Sequence, residues 1–211
     1  MQNILNKIAA AQVIMGVATL LAAVILAFVV QVSTAEAVST MRLPLSSDPG
    51  INAWFDHQAG SGFKKYTCST SGSYDGHEGT DFPTYLGRTI YAGANGGVYY
   101  RYDGCANSGS WGCGGGFGNH VRLEHSVDSL VSIYAHMKNG TPAWYSSLSC
   151  NLGATVGQVA SSGNSSGNHL HLELWSDRYN NYEIDPFSGS CSQATSYWTN
   201  QNSGSPTTAC Q

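Results

Sequence analysis

The sequence predicts an all-β domain. Three observations point to it: short runs of alternating, β-branched or aromatic residues recur along the chain, clusters of Gly, Asn and Ser bound them, and no window of a dozen residues beyond the amino-terminal segment carries a helical apolar stripe. In order, RTIYA (88–92) is centred on β-branched residues and GVYYRYD (97–103) is dominated by Val and Tyr, types that suit a pleated, half-buried surface. NHVRLEHS (119–126) alternates, LVSIYAHM (130–137) is an apolar strand with His136 near its end, TVGQVAS (155–161) opens on β-branched residues, and HLHLELW (169–175) alternates strictly. Between them ANSGSWGCGGGFGN (106–119) is too rich in glycine for a strand and reads as a loop.

A chain of 211 residues, 42% hydrophobic, supports one ordinary core. The expected organisation is an export signal or membrane anchor at 1–37, an extended lead-in at 38–62, one domain at 63–187, and a tail at 188–211 whose Ser, Thr, Asn and Gly have little to bury. Charged residues make up only 10% and the net charge is -4, so no basic face is available for a phosphate backbone and nucleic acid is not an expected partner. Abundant Tyr and Asn suit a polar, peptide-like or glycan-like ligand, and a monomer is expected.

After Lys7, residues 13–30 run for eighteen positions without a charge, and Ala35-Glu36-Ala37 follows. The A-x-A pattern favours cleavage as a signal peptide, although the apolar run reaches the minimum length of a membrane span. Either outcome places the remainder outside the cytoplasm, with membrane contact only if the segment is retained. All six cysteines lie in that remainder, and an even number in an exported chain implies disulfides. The expected pairs are Cys105 with Cys113 across the glycine loop, Cys191 with Cys210 around the tail, and Cys68 with Cys150. No C-x-x-C pair is present, which disfavours a zinc ribbon.

In an extended strand His169 and His171 share a face, with Cα atoms roughly 6.5 Å apart. On spacing alone either can bind a metal, and both can equally be polar positions on a solvent face. His77 and Asp81 lie four apart in YDGHEGTDFP (74–83). A helix is improbable beside Gly76, Gly79 and Pro83, and in a straight strand the pair would be about 13 Å apart, so a bend near Gly79 and Thr80 is required if they are to meet. Two His and one Asp leave a fourth position for water, which is the catalytic rather than the structural zinc arrangement. No H-E-x-x-H occurs, which excludes a thermolysin-like helix site.

The ordered set HEGTD, YAHM and HLHLE, joined by GNHVRLEH, SSGNSSGNHLH and EIDP, closely resembles the lysostaphin-like (LytM-type) zinc metalloendopeptidases, which hydrolyse peptide bonds in bacterial peptidoglycan. The resemblance runs from about Phe63 to Phe187. It implies an antiparallel β-sheet sandwich of the duplicated-hybrid-motif kind, with a groove over one sheet and disulfide-tied loops in this chain. It further implies one Zn2+ on His77, Asp81 and His171, a water in the open position, and His136 and His169 as catalytic non-ligands. The choice of His171 over His169 as ligand comes from the resemblance. Ala160 stands where the family commonly has glycine, Asn168 where proline is usual, and the 106–117 loop resembles an insertion.

Glu173 shares the face of His171, where it is a candidate either to support that histidine or to hold a solvent-facing or structural position, and Tyr134 is a candidate either to line the groove beside His136 or to sit in the core. His125 is expected to be structural, and His57 and His120 to lie on the surface. Two other functional readings follow from the same residues: a non-catalytic wall-binding module that keeps the fold, and a disulfide-rich glycan-binding β-module with incidental histidines.

Overall fold

The computed structural model describes residues 40–144, 147–150 and 153–201. The signal or anchor segment and Cys210 lie outside the described residues. All six expected strands form: β2 (Thr89–Tyr91), β3 (Gly96–Tyr102), β4 (Asn119–His125), β5 (Val131–Met137), β6 (Thr155–Gln158) and β7 (His169–Trp175). Two more were not anticipated, β1 (Thr80–Pro83) and β8 (Glu183–Ile184). Both are short and lie next to turn formers, so composition hid them. A short 3₁₀ element at Cys113–Gly116 lies in the glycine loop.

The large sheet has the order β1-β7-β5-β4-β3, with β8 also on β7, and every pairing is antiparallel. β2 and β6 form a second, two-stranded antiparallel sheet. Between the sheets Ile90 and Val156 meet Val121, Leu123, Tyr134, Leu170, Leu172 and Leu174 in one apolar cluster. The three leucines of β7 are at most 1% exposed. Burial of each contributes about 1.5–3 kcal/mol, and together they pin the register that turns His169, His171 and Glu173 to the opposite face. This is the antiparallel sandwich the sequence implies.

Tyr134 does not line a groove. It is fully buried in the inter-sheet core, where its hydroxyl accepts hydrogen bonds from Gly93 N–H (2.9 Å) and Ser132 Oγ (3.0 Å). Period-two alternation would have put it on the face of His136, but His136 is left-handed (φ 55°) and the β4–β5 register slips between Asn119 and Val121. That irregularity turns the two side chains apart.

The tail also buries more than its composition suggested. Trp198 is 8% exposed, packs on Phe187 (5.4 Å between centroids), and pairs with Met41 of the lead-in. Two expected disulfides are corrected: Cys191 bonds Cys68, not Cys210, and Cys68 is therefore unavailable to Cys150. The reason is the sheet, which returns the chain after β8 to the segment before β1, where Cys191 N–H donates to Tyr66 O. Cys105–Cys113 forms as expected, and Cys150 is also disulfide-bonded.

Candidate metal centre

Strand register builds the centre. β1 runs antiparallel to β7 with Asp81 opposite His171, and β5 flanks β7 on the other edge with Ala135 opposite His171. His77 precedes β1, after a turn at Gly76 (φ 71°). Its Nδ1–H donates to Trp54 O at 2.9 Å, which leaves the Nε2 lone pair facing inward. The bend expected between His77 and Asp81 is present: His77 Nε2 lies 3.3 Å from Asp81 Oδ1. At Gly79 a Cβ would come within 2.7 Å of both the His171 ring and Leu172 O, so the chain crosses the His171 ring where no larger residue fits.

His171 Nδ1 is 2.8 Å from Asp81 Oδ1 and 3.3 Å from His77 Nε2. Three buried donor atoms thus form a triangle with edges of 2.8, 3.3 and 3.3 Å. Donors about 2.0–2.1 Å from a tetrahedral zinc lie about 3.3 Å apart, so the triangle fits a zinc-sized ion that leaves one position open. His77, Asp81 and His171 are the group among the described residues placed to hold a metal. On the far side of His171, Nε2 donates to Glu173 Oε1 (2.9 Å), while Glu173 Oε2 accepts from Trp175 Nε1 (2.8 Å). Glu173 is buried, so of the two roles open to it in sequence, support of His171 is the one the geometry matches. Trp175 was missed, although its place two residues beyond Glu173 on the same strand face was a legible signal.

The two remaining histidines border the triangle. His136 Nδ1–H donates to Ser162 O (2.7 Å) and His169 Nδ1–H to Gly167 O (2.8 Å), and their rings lie 4.7 Å apart. His169 Nε2 is 3.5 Å from Asp81 Oδ1. Electrostatics separates the members. Burial alone would raise Asp81, but hydrogen bonds from His171 and His77 hold it well below the usual carboxylate range. Burial alone would lower His171, yet its bonds to Asp81 and Glu173 raise it to about 10. His136 is pushed down to about 3 by burial and by the neighbouring His171 and His169, so it is a neutral imidazole with a free Nε2 lone pair at neutral pH.

All five histidine and aspartate candidates therefore converge. His125 is buried at a strand end with Nδ1 3.2 Å from Asn95 O, a structural setting. The expectation of surface positions for His57 and His120 is corrected. His57 is partly buried and pairs with the buried Asp185 (2.8 Å). His120 is 2% exposed, because β4 turns it under the glycine loop.

Comparison with known proteins adds three findings. The model of Peptidase family M23 matches residues 75–186. The DD-carboxypeptidase/endopeptidase Mpg of Neisseria meningitidis is 30% identical over 114 residues, covering 53% of this chain and 22% of that protein, and the Neisseria gonorrhoeae protein of the same name matches equally. The chain thus spans about a fifth of the length of these curated relatives. A zinc containing peptidase from Vibrio cholerae shares the fold, with a TM-score of 0.50 and 18% identity over 76% of this chain and 41% of that one.

Proposed function

The chain belongs to peptidase family M23, and from that premise we propose that it is a zinc-dependent endopeptidase acting on peptide bonds of bacterial peptidoglycan, in stem peptides or cross-bridges. One observation carries the reading: a buried triangle of His77, Asp81 and His171 donors with zinc-like spacing, bordered by two histidines that are free of it. The relatives named as zinc containing peptidase and as DD-carboxypeptidase/endopeptidase support the same direction.

His77, Asp81 and His171 would hold the ion. Bound there, zinc would supply a Lewis acid for the scissile carbonyl and lower the pKa of a water towards about 7. His77 presents Nε2 because Trp54 O captures its other nitrogen, and His171 presents Nδ1 because Glu173 captures its Nε2–H. His136 accepts a hydrogen bond from the attacking water at Nε2, and its bond to Ser162 O fixes both tautomer and ring plane. His169, held through Nδ1–H by Gly167 O, donates from Nε2–H to the developing oxyanion in its doubly protonated form and gives that proton to the leaving amine, while His136 takes up the proton lost by the water.

Disulfides in the domain and the amino-terminal apolar segment support an extracellular or envelope location. We retain the division into a signal or anchor at 1–37, lead-in at 38–62, peptidase domain at 63–187 and tail at 188–211. The test is metal analysis of the purified chain with mass spectrometry of fragments released from walls of several cross-link types. Zinc-dependent release of peptide fragments is expected, with loss of zinc and release in His77→Ala. Full activity in a metal-free His77→Ala protein would overturn the reading, and bound zinc with no turnover on any wall would favour the non-catalytic module.

A further inference from the structure

Beside the metal centre, on the same face of the large sheet, lies a cavity of about 500 Å3 between β3, β4 and the disulfide-closed glycine loop. Tyr100, Tyr102 and Phe117 line it together with His120 and Arg122 of β4. The loop is held over the cavity by Asn164: Gly112 N–H donates to its side-chain Oδ1 (2.7 Å), and its backbone N–H donates to Gly116 O (2.7 Å). Gly114 (φ 62°) lies so close that a Cβ there would be 3.1 Å from the Tyr102 ring. Phe117 joins the cavity to the metal centre, its ring 5.2 Å from His120 and 6.3 Å from His171. A substrate strand running from one to the other would need roughly three to four extended residues.

Two features of this cavity are unexplained by the fold. His120 is buried and donates Nδ1–H to Gly118 O (2.9 Å), but its Nε2 has no partner. Burial pushes its pKa down, so Nε2 is a lone pair that seeks a donor. Arg122 is a cation stacked on Tyr100 (4.9 Å) and Trp175 (4.6 Å), it forms no ion pair among the described residues, and its Nε also lacks a partner. A buried acceptor without a donor is destabilising, and Arg favours a planar anion.

We propose that this cavity is a substrate subsite for an N-acylated α-amino acid carboxylate, with the carboxylate on Arg122 and the adjacent amide N–H on His120 Nε2. The inference rests on the peptidase reading. It adds that the chain selects a peptide with a free α-carboxylate a few residues from the scissile bond. Two sources share this chemistry: the carboxyl end of a stem peptide, and an internal γ-linked glutamate. A sugar hydroxyl leaves the cation uncompensated, and a phosphate leaves Nε2 without its donor.

The test titrates the full chain with N-acetyl-D-alanine, its carboxamide, its N-methyl derivative and N-acetyl-γ-D-glutamyl methylamide, followed by NMR of the His120 imidazole. At least one of the two free carboxylates is expected to bind about tenfold more tightly than the carboxamide, a preference that Arg122→Gln cuts to within about twofold and Arg122→Lys partly keeps. The N-methyl probe is expected to bind more weakly than its parent. Tighter binding of the alanine probe assigns the subsite to a chain end, and tighter binding of the glutamyl probe to an internal residue. Equal binding of carboxylate and carboxamide overturns the proposal. So does a preference that survives Arg122→Gln, which would put the carboxylate at the metal-binding residues instead, and so does an N-methyl probe that binds as well as its parent. Failure of the peptidase reading has a different signature: no wall peptide is hydrolysed while the probe preference stands.

Discussion

Glu173 and His171 face each other across 2.9 Å on the same strand, and the second oxygen of Glu173 is taken by Trp175. A carboxylate held at both oxygens fixes the plane of the imidazole it accepts from, and so aims His171 Nδ1 at Asp81 and His77. Supports of this kind typically govern 10–100-fold in metal affinity. Glu173→Gln is expected to weaken zinc binding by about that factor while leaving the fold intact, measured by competition with a chromophoric chelator. Trp175→Phe is expected to have a smaller effect in the same direction. Unchanged affinity in Glu173→Gln would show that His171 needs no such support.

The proton on His171 makes zinc uptake pH-dependent. Without metal its pKa is raised to about 10, so below that pH the ring is protonated and zinc must displace a proton from Nδ1. Affinity is therefore expected to rise with pH across the neutral range, with about one proton released per zinc near pH 7. Calorimetry in buffers of different ionisation enthalpy counts that proton, and a count of zero would contradict the raised value.

His136 and His169 separate from the ligands by what they leave behind. His136→Ala and His169→Ala are each expected to keep stoichiometric zinc yet lose about 10²–10⁴-fold in turnover, whereas His171→Ala loses both. Metal content and hydrolysis measured on the same preparations decide it. Loss of zinc from His169→Ala would exchange the roles of the two strand histidines.

Gly79 is a steric test of the same geometry. Gly79→Ala places a methyl 2.7 Å from the His171 ring and from Leu172 O, so β1 must move from β7. A loss of about 1–3 kcal/mol in stability is expected, with weakened zinc binding, read by denaturant unfolding with and without metal. Wild-type values for both would show that the strands separate at no cost.

Much of this was legible because the signals were periodic. The alternation of HLHLEL gave both the buried leucines and the shared face of His169, His171 and Glu173, and alternating, β-branched or aromatic runs marked β2 to β7. What alternation could not report was a place where it breaks. The left-handed His136 turns its side chain away from the side shared by Tyr134, and nothing in IYAHM announces a bulge. Disulfide partners depend on which distant segments the sheet brings together, so Cys68 and Cys191, 123 residues apart, were out of reach of spacing arguments. His120 was misplaced because its burial comes from a loop folding over it, which strand patterning does not encode.

The Cys68–Cys191 bridge has a consequence for durability. Every strand of the described sheets lies between its two cysteines. A protease that nicks an exposed turn anywhere inside that span leaves two fragments still joined covalently, which run together on a non-reducing gel and separate only after reduction. The chain can thus be cut once and remain a single molecule, its His77, Asp81 and His171 triangle held by pieces that cannot diffuse apart.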